Sequence, residues 1–121
     1  MKLPGPDHTI TVARNANRVR VTFASQVIAD TTRALTLREA GYRPVHYIPR
    51  ADVAMALLKP TAHASHCPYK GDANYFSIIA GGKMADNAVW SYEQPYPAMA
   101  AIAGYLAFYP NRVDKIEESP A

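Results

Sequence analysis

The chain has 121 residues but only one cysteine, Cys67, and one tryptophan, Trp90. A lone cysteine excludes an internal disulfide framework, so whatever holds the fold together is packing and hydrogen bonding. No apolar run approaches the roughly 20 residues that cross a bilayer; the longest nearly apolar stretch, Pro97 to Tyr109, is interrupted by Gly104. Met1-Lys2-Leu3-Pro4-Gly5-Pro6 lacks the apolar segment of a signal peptide. A cytoplasmic protein without a membrane partner is therefore expected. Runs of like charge are missing too. The net charge of +3 comes from scattered Arg and Lys alternating with acids, which favours solubility and makes a nucleic-acid partner unlikely.

What is present is apolar material: 49% of residues are hydrophobic and 19% charged, a balance that closes one core and excludes disorder. At this length one domain, residues 1–121, is expected. Most of the apolar residues alternate with polar ones. Ile10 and Val12 alternate with Thr9, Thr11 and Ala13, and Val19, Val21 and Phe23 with Arg18, Arg20 and Thr22. Both segments read as half-buried strands, and Asn15-Ala16-Asn17 between them predicts a hairpin. Leu35 and Leu37 keep the same period in Ala34 to Glu39, and Val45-His46-Tyr47-Ile48 gives a further strand stopped by Pro49. Val53, Ala54 and Leu57 predict a two-turn helix from Arg50 to Leu58, ended by Pro60.

Thr61 to Ser65 reads as an extended approach to a turn around Cys67. Beyond it, Tyr75, Ser77 and Ile79 alternate with Phe76 and Ile78, a strand with large side chains on both faces and hence covered on both. Gly81-Gly82 predicts a tight turn into an antiparallel partner from Ala88 to Tyr92. Ala98 to Ala103 is a second short helix, Leu106 to Tyr109 a closing strand, Val113 to Ile116 an edge strand, and Glu117 to Ala121 a frayed tail. The sum is a mainly β, or α+β, domain of short antiparallel strands with two short helices.

Several blocks, in order, carry a family resemblance: Val27-Ile28-Ala29-Asp30, Glu39, Tyr47-Ile48-Pro49-Arg50 with Asp52-Val53, Cys67-Pro68-Tyr69-Lys70-Gly71 with Tyr75, Trp90-Ser91-Tyr92 with Pro95, and Gly104-Tyr105 with Ala107-Phe108-Tyr109. This pattern resembles the DUF427 family over nearly the whole chain, with Thr31 standing where the family commonly has serine. The resemblance implies a compact, mostly antiparallel β domain without a settled biochemical role, possible kin of the β-tent architecture. A nucleotidyltransferase label also attaches to the family, but that chemistry needs paired carboxylates holding two metal ions. Here Gly81-Gly82 is followed by Asp86 alone.

The residues themselves offer a few candidate chemistries. Cys67 is a candidate nucleophile if His66 or Lys70 activates it, although adjacent residues of an extended chain point apart, and a small thiol packed under the turn is the plainer reading. Lys70 with Gly71 offers an ammonium and a backbone N–H to an anion, with Arg50 as a second cation. His63, His66 and Cys67 lack the paired clusters of a zinc site, so neither metal nor other cofactor is expected. Glu39 and Asp52 are candidate acid–base groups, or simply partners of Arg33 and Arg50.

With 8 tyrosines against 3 phenylalanines, many rings carry a polar tip. Three functional readings result. The first is a binding module whose cleft, built from Tyr47, Arg50, Lys70, Gly71, Tyr75, Trp90 and Tyr92, holds a small anionic or planar ligand. The second is an enzyme using Cys67 or Glu39 in that cleft. The third is a scaffold or homo-oligomer presenting its edge strands.

Overall fold

The alternation of apolar and polar residues becomes ten strands in the computed structural model, which describes residues 1–121. They are β1 (Ile10–Asn15), β2 (Arg18–Phe23), β3 (Gln26–Thr31), β4 (Ala34–Glu39), β5 (Val45–Tyr47), β6 (Leu58–Cys67), β7 (Gly71–Ala80), β8 (Lys83–Ser91), β9 (Leu106–Phe108) and β10 (Lys115–Ser119). All pairings are antiparallel and give three sheets, ordered β1-β4-β5, β10-β2-β3 and β6-β7-β8-β9. Ile48, just after β5, and Leu106 of β9 exchange two backbone hydrogen bonds of 2.8 Å. That exchange ties the first sheet to the third.

Strand β7 separates two cores because its period of two sends large side chains both ways. Phe76 and Ile78 face Val19, Val21 and Ile28 of the β10-β2-β3 sheet together with Val89 and Phe108. Ala73 and Tyr75 face Leu37 and Tyr47 of the β1-β4-β5 sheet, along with Met99 and Ile102. Each fully buried aliphatic side chain, such as Ile78, Val19 or Ile102, contributes about 1.5–3 kcal/mol relative to exposure. Between β7 and β8, Gly81 and Gly82 take φ of 59° and 73°, the positive values that a two-residue hairpin turn requires.

The mainly β reading holds, and four local expectations are corrected. Strands β1 and β2 do not pair as a hairpin: β1 pairs with β4, and β2 pairs with β3 and β10. The real hairpin turn is Ala24-Ser25, between Phe23 and Gln26, where two residues with φ of 51° and 62° do the work usually given to Asn-Gly. The helix expected from Arg50 to Leu58 is two separate 3-10 turns, Arg50–Asp52 and Met55–Leu57. Ala54 instead donates its N–H to the Ile28 carbonyl at 2.8 Å, so tertiary bonding to β3 interrupts the helix. The second short helix is likewise a 3-10 segment, Pro97–Ile102.

Thr61 to Ser65 belongs to β6, which runs from Leu58 through Pro60 to Cys67. Proline is tolerated there because β6 is an edge strand. Finally, Glu117 to Ser119 is not a frayed tail but part of β10, hydrogen-bonded along β2. No helix is long and apolar enough to cross a membrane.

Candidate functional site

A cavity of about 320 Å³ opens where the first and third sheets meet. Its walls follow from strand periodicity: Leu37 with Glu39 on β4, Val45 with Tyr47 on β5, Ser65 with Cys67 on β6, and Trp90 with Tyr92 at the end of β8 are all i, i+2 pairs, each presenting one strand face. Tyr75 from β7 and Tyr109 after β9 complete the aromatic lining, and the exposed Tyr42 and Arg43 form the rim. Trp90 stands edge-on to Tyr47, with ring centroids 6.3 Å apart, and donates its indole N–H to the Tyr47 hydroxyl at 3.3 Å. Tyr109 also packs on the indole, with ring centroids 4.4 Å apart. Trp90 is thus fixed as one wall.

The polar end is built around Glu39. Lys70, in the turn between β6 and β7, donates from Nζ to Glu39 Oε1 at 2.7 Å, and His8 Nε2 lies 2.6 Å from Oε2. The lysine and glutamate side chains are only 9% and 12% exposed. Burial alone would raise the Glu39 carboxyl, but the hydrogen bonds and charges of Lys70 and His8 outweigh it and hold the group below the usual carboxylate range. Lys70 Nζ also lies 3.7 Å from Cys67 Sγ, and Cys67 is half-buried on the cavity wall. His8 is held in turn by stacking on Tyr69, 4.2 Å between centroids and 11° between planes.

Burial raises the phenol pKa values of Tyr47 and Tyr92, and pushes Tyr109 up to about 12. These hydroxyls therefore stay neutral donors across the physiological range. Tyr75 hydrogen-bonds Ser65 Oγ at 2.8 Å and Tyr109 at 3.3 Å through its hydroxyl. Tyr92 is the exception: its hydroxyl has no hydrogen-bond partner within the protein and is open to solvent.

Of the residues singled out from the sequence, Glu39, Tyr47, Cys67, Lys70, Tyr75, Trp90 and Tyr92 all line this cavity. Arg50 and Gly71 do not. Arg50 donates to the Gly104 carbonyl at 3.0 Å and to Glu93 at 2.6 Å, with its guanidinium 5.6 Å from the Phe76 ring centroid. Gly71 supports the site from behind. Its φ of 107° shapes the Lys70 turn, and a Cβ there would lie 3.5 Å from the Tyr96 nitrogen.

The cation that sequence reasoning overlooked is Arg43, which lines the cavity and enters no ion pair, unlike Arg18, Arg20, Arg33 and Arg50. Its exposed position after Gly41 in a loop carried no periodic signal. Asp52 pairs with Arg33 at 3.1 Å, one of the two arginines expected as partners of Glu39 and Asp52, and is not part of the cavity lining. His66 turns to Asp72 at 2.6 Å rather than to Cys67. No group of three or more His, Cys, Asp and Glu side chains is arranged to hold a metal ion.

A family model described as a domain of unknown function (DUF427) matches residues 11–119. No curated protein sequence matches the chain.

Proposed function

The chain belongs to the DUF427 family, a domain of unknown function, and from that premise we propose that it binds a small planar ligand bearing an anionic group. The observation that carries this reading is the composition of the cavity. Rings of Tyr47, Tyr75, Trp90, Tyr92 and Tyr109 surround a space of about 320 Å³, at the small end of the range for ligand pockets, with Lys70 inside and an ion-pair-free Arg43 at the rim. Aromatic faces and edges favour a flat ligand. A guanidinium with no carboxylate partner favours an anion, which it engages through two parallel N–H donors.

Trp90 is the sole indole and a wall of the cavity, so its fluorescence reports on occupancy directly. Titration with benzoate and 4-hydroxybenzoate is expected to give a saturable change in emission, with neutral benzyl alcohol giving a weaker one. Indistinguishable responses to the charged and neutral probes would remove the anionic part of the proposal, and no response to any of them would remove the whole.

A further inference from the structure

We infer that a second cavity, separate from the aromatic one, binds a tetrahedral oxyanion, the phosphoryl group of a phosphate monoester, through Arg112, His63, Asn87 and Asn111. The cavity has a volume of about 270 Å³ and adjoins the first, since Tyr75 and Tyr109 line both. Their hydroxyls, 3.3 Å apart and hydrogen-bonded, mark the partition. The site goes beyond the binding reading above and does not depend on it.

Two irregularities of the third sheet build this cavity. Between the pairs Pro60–Phe76 and Ala64–Asn74, three residues of β6, Thr61 to His63, stand opposite Tyr75 alone. Between the pairs Phe76–Val89 and Ile78–Ala85, three residues of β8, Asp86 to Ala88, stand opposite Ser77 alone. Tyr75 and Ser77 are two apart on β7 and share one face. Both neighbours of β7 therefore bulge beside the same short stretch, and a bulge re-aims the side chains that it carries. The bulges are tied together: the Thr61 hydroxyl donates to Asn87 Oδ1 at 2.7 Å, and the Asn87 N–H donates to Ser77 Oγ at 3.0 Å. Asn87 has a φ of 47°, a left-handed conformation foreign to a regular strand and one that asparagine tolerates better than most residues. The remaining wall is the turn after β9, closed by the Arg112 N–H on the Tyr109 carbonyl at 3.0 Å, with Pro110 at its second position.

What these segments present is donors without acids. No aspartate or glutamate lines the cavity. Arg112 gives one N–H to the Asp86 carbonyl at 2.9 Å and enters no ion pair, which leaves the rest of its fork for a ligand. The His63 ring stands edge-on to Tyr75 with centroids 4.4 Å apart, and only its backbone N–H is hydrogen-bonded, to Thr61 Oγ1 at 3.2 Å. Asn87 spends its carbonyl oxygen on Thr61 and keeps its amide N–H groups. By contrast, the cavity lined by Arg18 and Arg20 also holds Glu117 and Glu118, so its cations already face carboxylates. A single guanidinium fork satisfies the two oxygens of a carboxylate. Donors from β6, β8 and the turn after β9 suit a group with three acceptor oxygens, which is the chemistry of a phosphoryl group.

The test is a titration of the ¹⁵N-labelled full chain with methyl phosphate, followed by NMR. Saturable shifts are expected at the Asn87 and Asn111 carboxamides and at the Arg112 Nε–H, with no saturable change from sodium acetate at the same ionic strength. Arg112→Met should weaken methyl phosphate binding by at least about tenfold, through the loss of charge-assisted hydrogen bonds. His63→Ala, whose ring holds no hydrogen bond in the protein, should weaken it by roughly threefold. Arg14→Met removes the same charge from another cavity and should leave the affinity unchanged. No saturable shift at these groups, an equal response to acetate, or an Arg14→Met effect as large as that of Arg112→Met would overturn the inference. Trp90 fluorescence in Arg112→Met separates the two sites: an intact benzoate response is expected, and its loss would make the two cavities one site and remove the separate oxyanion site. Failure of methyl phosphate to bind while benzoate still does strikes this inference alone and leaves the binding reading in place.

Discussion

Lys70 and Glu39 form an ion pair of 2.7 Å in which both side chains are about nine-tenths removed from solvent. Such a pair is costly to break from one side, because the partner left behind is a buried, unsatisfied charge. Lys70→Met is expected to destabilise the fold by about 3 kcal/mol, and the double variant Lys70→Met/Glu39→Gln by less than the single one. Chemical denaturation of the three proteins checks this. A double variant that loses as much stability as Lys70→Met and Glu39→Gln added together would show that the pair is not a coupled unit.

The cavity's specificity gives a second expectation. Arg43→Met should weaken the benzoate response of Trp90 by at least about tenfold, through the loss of its charge-assisted hydrogen bonds to the anion. Arg50→Met should leave it unchanged within error, since Arg50 is engaged with Gly104 and Glu93 and is absent from the cavity lining. The reverse ranking in the fluorescence titration would move the anion site to the other arginine.

Stability should fall at both ends of the pH scale. Asp30 is held low by its hydrogen bond from Arg18, Asp52 by Arg33 and Glu118 by Asn15, and Glu39 is held low by Lys70 and His8 against its burial. A carboxyl with a depressed folded pKa contributes stability that is present above its unfolded value, near pH 4, and is lost as pH falls through the folded value. Tyr47, Tyr92 and Tyr109 behave in the opposite sense. Burial raises their phenols, so their contribution is intact below an unfolded value of about 10 and is lost as pH rises toward the folded values, about 12 for Tyr109. Denaturant midpoints measured from pH 7 to 11 should decline beyond pH 10, and Tyr92→Phe should show a shallower decline.

The Ala24-Ser25 turn carries strain that can be relieved. Both residues have positive φ, which costs an L-residue roughly 1–2 kcal/mol relative to glycine. Ser25→Gly is expected to stabilise the domain by about 1 kcal/mol, read as a shift in denaturant midpoint at unchanged slope. A loss of stability would mean that Ser25 is held by contacts that glycine cannot make.

Much of this architecture was legible because the strands near the site alternate cleanly. Leu35 and Leu37 placed β4, Tyr75 to Ile79 placed β7 with both faces covered, and Gly81-Gly82 marked its turn. Pairing partners were less legible. Asn15-Ala16-Asn17 looks more like a hairpin turn than Ala24-Ser25 does, yet β2 folds back onto β3 through the latter, since long-range packing of Val19 and Val21 against Ile78 outweighs turn propensity.

At the site, residues projecting from strands were found because periodicity fixes which of them share a face. Those supplied by irregular segments, Arg43 at the rim and His8 on Glu39, follow from the path of loops and were missed. Arg50, the second cation expected from the sequence, follows Tyr47-Ile48-Pro49, but the chain turns after Pro49 and carries its guanidinium to Glu93.

The contact between His8 and Glu39 bears on how the protein is handled at the bench. The imidazole reaches the carboxylate from a segment ahead of β1 that is fastened by its stacking on Tyr69 and by the Lys2 amide bonded to the Pro68 carbonyl at 2.7 Å. A protease cut that releases the residues ahead of Thr9 therefore removes one of the two partners of Glu39 at the polar end of the cavity, some sixty residues away along the chain from Lys70. Assays on material tagged at the opposite terminus, where β10 lies on β2 and contributes nothing to the cavity lining, keep that carboxylate in its native company.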